Sequence, residues 1–146
     1  MTEARVDGAR FRSGLELLQA GIHQAAVLTL RSAVTAATDS AKGTKLFKDG
    51  SGVTRGSIHG EVFGLRGFVT AGGATRFLEY GTRPHIIEAH GSALRFVVNG
   101  TVLFRKSVKH PGTKPRPFMA EARERGMIAA EYGAEVFVSA AIRNAR

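Results

Sequence analysis

Leu94-Arg95-Phe96-Val97-Val98-Asn99-Gly100-Thr101-Val102-Leu103-Phe104-Arg105 is the stretch on which the reading of the fold turns. Two apolar runs flank Asn-Gly, the pair favoured in a type I′ turn because both central residues need positive φ. Pairing across that turn sets Val98 opposite Thr101, Phe96 opposite Leu103 and Leu94 opposite Arg105. The other face then carries Arg95, Val97, Val102 and Phe104. A hairpin with one wet face alternates apolar and polar residues cleanly, whereas here both faces are substantially apolar. One face is expected to meet a helix of the same chain. The other, through Val97, Val102 and Phe104, is expected to meet a partner.

Upstream, Ser13-Gly14-Leu15-Glu16 reads as a capping box, with serine capping and glutamate reaching back. Leu15, Leu18, Ile22, Ala26, Leu30, Ala33 and Ala37 follow at steps of three and four, the spacing of an amphipathic helix. Its expected range is Gly14 to Ala41, with Gly43 as the stop signal. A helix of that length is expected to pack along a neighbour as well as its own core. Lys42 to Gly56 is loop-like, and Ser57–Phe63 and Arg66–Ala71 read as short strands with Ile58, Val62, Phe68 and Val69 as burial candidates. Glycines at 60, 64 and 67 weaken that reading. Thr75–Tyr80 reads as a helical turn or two ended by Gly81. His110–Pro117 is a connector, and a last helix runs from about Phe118 to Ile142. The small residues on its inner stripe, among them Gly126, Ala129 and Gly133, allow close helix approach. The chain thus reads as one domain, 1–146, of α+β class. An antiparallel β-sheet of hairpins is packed against a long N-terminal helix and a C-terminal helix.

Composition narrows the function. There are 146 residues, 43% hydrophobic and 23% charged, with 18 glycines and no cysteine. Without cysteine there is neither a disulfide framework nor a Cys-based zinc site. Met1-Thr2-Glu3-Ala4-Arg5 lacks the apolar core of a signal peptide, and no apolar run reaches eighteen residues. No membrane partner is therefore expected, and assembly is expected in the cytoplasm. His85, Glu88, His90 and His110 invite a metal reading, but neither His-Glu-x-x-His nor a paired Cys/His spacing occurs. Gly-x-Ser-x-Gly is missing too. The expectation is no catalysis, no metal and no cofactor. Net charge is +9, and Arg105, Lys106, Lys109, Lys114 and Arg116 cluster without an acid. Such charge favours acidic or polyanionic partners. A basic accessory protein that binds nucleic acid non-specifically is therefore the alternative class, although no helix-turn-helix, RRM or zinc module accompanies the charge.

Two stretches carry a resemblance: Phe77-Leu78-Glu79-Tyr80-Gly81-Thr82 and His110-Pro111-Gly112-Thr113-Lys114-Pro115-Arg116-Pro117-Phe118. Together they resemble the tail-component family of long, non-contractile-tailed bacteriophages, which sit at the neck or complete the tail. That family shows an aromatic, Glu, aromatic, Gly-Thr segment, then a Pro-Gly-Thr turn leading into Arg-Pro-Phe at a helix start. The chain departs from it after Phe118, where Met119-Ala120-Glu121-Ala122 replaces a further Arg-Pro-Ala type run. The resemblance implies a structural virion protein of the head–tail junction. Its subunits would form a ring, sixfold or twelvefold, between the head-closure complex and the tail terminator or tail tube, and let DNA pass.

Glu79, Tyr80, Arg116 and Phe118 join Val97, Val102 and Phe104 as candidates for subunit or partner contact, with an ion pair between Glu79 and Arg116 as the bland alternative. In the loop, Lys42, Lys45, Lys48 and Arg55 stand against the single acid Asp49. With Leu46 and Phe47 they are the candidates for reaching a neighbouring ring or the DNA. Leu46 and Phe47 are expected to find burial only on another chain, which leaves the loop mobile in the free subunit.

Overall fold

A computed structural model describes residues 8–144; the Met1–Arg5 segment read above for targeting character lies outside them. Helix α1 runs Gly8–Gly43 and helix α4 Phe118–Asn144, and the short helices α2 (Val53–Gly56) and α3 (Thr75–Tyr80) lie between them. Strands β1 (His59–Phe63) and β2 (Arg66–Thr70) form one antiparallel pair. Strands β3 (His85–Glu88), β4 (Leu94–Val98), β5 (Thr101–Arg105) and β6 (Ser107–His110) form two more, β3 with β6 and β4 with β5. The fold is α+β, with small antiparallel sheets of two strands each.

Helices α1 and α4 lie antiparallel, and glycine sets how close they come. A Cβ on Gly126 would stand 3.0 Å from the Ala33 carbonyl oxygen and from the Ala37 methyl; one on Gly133 would stand 2.9 Å from Thr29 Cγ2. At about 1.5 Å per residue α1 is about 54 Å long and α4 about 40 Å. The register leaves roughly the first three turns of α1 without a helical neighbour. The expected apolar stripe is therefore used at one end only: Ala33, Ala37 and Ala41 are buried, while Leu15, Leu18 and Ile22 are exposed.

The β1–β2 hairpin lies across α1 on the side chains of Leu30, Val34 and Thr38. Gly60 and Gly67 sit so close that a Cβ on either would collide with them. The glycines that weakened the strand reading are the condition for this seat. Val62 and Val69 share the seated face, whereas Phe68 points away and is exposed. Ala41, Phe47, Ile58, Phe118 and Ala122 form the core, edged by Val69, Ala71, Leu78 and Met119.

The Asn99-Gly100 hairpin has the expected register and positive φ at both turn residues, 49° and 80°. Its expected seat on a helix is overturned. β3–β6 and β4–β5 form a ribbon of two ladders that has no packed interface with α1 or α4. Ala89–Ala93 bulges opposite the single residue Lys106 between the ladders, which separates β5 from β6. We call this ribbon the β-arm.

The accessible surface is 11,913 Å². A compact chain of 15.6 kDa exposes roughly 7,200 Å².

Candidate subunit interface

The two segments that carry the family resemblance meet in space as a clasp at the root of the β-arm. Thr82 and Thr113 exchange backbone hydrogen bonds, N–H to O, of 3.0 and 3.1 Å. The Arg116 N–H donates to the Leu78 carbonyl at 2.7 Å. Gly81 leaves α3 at φ 70°, ψ −174°, a region open almost only to glycine. Gly112 has φ 84°, and its missing Cβ would strike the Thr82 carbonyl oxygen. Neither position accepts a side chain without moving the arm.

Glu79 completes the clasp in a way its sequence position does not announce. Its carboxylate accepts from the backbone N–H groups of Met119 (2.9 Å) and Ala120 (3.1 Å). It therefore caps α4, whose first-turn donors have no partner within the helix and whose dipole favours a negative charge there. The carboxylate is thus engaged by backbone, a role given to it neither by the partner-contact reading nor by the alternative of an ion pair with Arg116. Tyr80, next to it, is 75% exposed, and Arg116 is exposed. Phe118, a candidate for partner contact in the sequence, is instead core at 1% exposure.

On the β-arm, Val97 pairs Val102 and Arg95 pairs Phe104, so these four share one face. Val97 (57% exposed), Val102 and Phe104 (59%) lie open to solvent. The opposite face is more enclosed, with Leu94, Phe96 and Leu103 half-buried. The outer face of α4 is open as well. Glu121, Glu124, Ile128, Glu131 and Glu135 recur at steps of three and four and are exposed, which places them along one stripe of the helix. Arg123, Glu124, Met127, Ile128 and Glu131 line a shallow depression of about 400 Å³ there.

The 42–56 loop is more tied down than its composition implies. Phe47 is buried in its own chain, not on another, with its ring centroid 4.9 Å from that of Phe118. Arg55, expected to reach a neighbour or DNA, points inward. Its guanidinium donates to the carbonyls of Lys42, Thr44 and Phe47 and lies over the Phe47 ring. Asp49 accepts from the Arg55 N–H at 2.7 Å, and this bond, helped by Ser51, holds its carboxyl below the usual carboxylate range. Lys42, Lys45, Leu46 and Lys48 remain exposed.

Among the described residues no three His, Asp or Glu side chains gather as a metal site, and no helix is long and apolar enough to cross a membrane. A scan of family models, a search of curated proteins and a search of solved structures each found no match.

Proposed function

We propose that this chain is a structural subunit of a bacteriophage neck, forming a ring at the head–tail junction through which DNA passes. The observation that carries the reading is the mismatch between surface and mass: the single chain exposes roughly 4,700 Å² more than a compact one. A standard interface removes about 800 Å² from each partner, so the excess accommodates two neighbours and more. The open surfaces also differ from each other, one on a β-arm and one on a helix. Contacts between unlike surfaces generate closed rings or open filaments rather than twofold dimers. The motif segments 77–82 and 110–118, whose resemblance pointed to the neck, support the reading by forming one clasp.

Electron cryomicroscopy of the phage particle that contains this chain tests it, with a ring of copies between head and tail as the expected result. Particles without that density favour the alternative, a basic protein binding nucleic acid non-specifically. That alternative also requires affinity for random duplex DNA that falls steeply with salt.

A further inference from the structure

We infer that the exposed β-arm face of Arg95, Val97, Val102 and Phe104 docks on the outer face of α4 in a second copy of this chain. The inference deepens the ring reading and rests on it for the closure of the assembly. Two unpartnered surfaces lie on the same polypeptide, and each supplies what the other lacks. The arm face presents three open apolar side chains beside Arg95, while Arg105, paired with Leu94, lies on the other face, and Glu88 is the one acid between His85 and His110. The outer face of α4 presents Ile128 and Met127, both exposed, set among the four carboxylates of Glu121, Glu124, Glu131 and Glu135 and the two cations Arg123 and Arg125, so acid predominates there. These four are a third of the chain's 12 acids. Attraction between such patches sets register and partner choice, while the apolar centre supplies affinity. The arm also needs a cover, because a lone two-stranded ribbon is only marginally stable in water. Nucleic acid would satisfy the arm's charge but not its row of valines and phenylalanine. A second copy satisfies both.

Charge reversal tests this on the full chain. Arg95→Glu in one preparation and Glu124→Arg/Glu131→Arg in another change exposed residues only, and circular dichroism should match the parent. Should the α4 double variant misfold, Glu131→Gln with a salt titration replaces it. Sedimentation should show each reversal weakening self-association about tenfold, since like charges then face one another. Mixing the two reversed preparations should restore assembly, with the copies alternating. A parent chain that stays monomeric at every concentration overturns the inference. So does an α4 reversal without effect, or an Arg95→Glu variant that loses random duplex DNA while self-associating normally. If rings are seen in particles but the reversals are harmless, the docking assignment fails and the neck reading stands. If the reversals separate the copies but particles join heads to tails without this chain, the neck reading fails and the interface stands.

Discussion

Phe118 and Phe47 face each other at the point where the loop, the start of α4 and the end of α1 converge. Because so little of this chain is buried, each fully enclosed ring carries a large share of its stability. Truncating a buried phenylalanine to alanine costs about 3–5 kcal/mol, out of the roughly 5–15 kcal/mol that hold a domain together. Phe118→Ala should therefore lower the melting temperature markedly. An unchanged melting point would remove it from the core. Glu79 acts on a smaller scale. Glu79→Ala leaves the Met119 and Ala120 N–H groups without their acceptor and should cost about 1 kcal/mol, as loss of a helix cap does. Glu79→Gln keeps one acceptor oxygen and should lose less. Chemical denaturation of the two variants side by side checks both the size and the order.

Among the elements, the β-arm combines a turn read correctly with surroundings read wrongly. Val102 lies on its open face, so Val102→Asp should leave the circular dichroism spectrum unchanged and abolish self-association in light scattering. If the variant unfolds instead, that face is packed inside the domain. The register was legible because Asn99-Gly100 fixes the turn and strict alternation fixes each side-chain face. What covers those faces was not, since apolar character shows that a surface seeks burial but not against what. Leu15, Leu18 and Ile22 illustrate the same gap on α1. Strand β3 escaped notice because His85–Glu88 offers only four residues, and its partner β6 lies beyond the whole hairpin. The cap from Glu79 to Met119 spans 40 residues and leaves no local spacing to read. Arg55 looked like one more loop cation, and only the folded loop brings three carbonyls to its guanidinium.

At the scale of the whole molecule, burial is graded along its length. Ala33, Ala37 and Ala41 of α1 are enclosed, while Phe11, Leu15 and Leu18 are exposed. Opening free energies follow such gradients. Amide exchange in the free subunit should be slowest over residues 33–41 and fast over 11–18, and the fast stretch should slow on assembly if a neighbour covers it. Equal protection along α1 in the free chain would contradict this distribution of packing. The clasp at the root of the arm has a consequence for counting. If neighbours join arm to helix, the direction in which the arm leaves α4 fixes the rotation from one copy to the next. A turn of about 60° closes six copies and about 30° closes twelve, while an angle out of plane never closes and winds an open filament. Gly81 and Gly112 hold that direction, each pressed against backbone with no room for a methyl group. The stoichiometry of the assembly would then be written in two residues that carry no side chain at all.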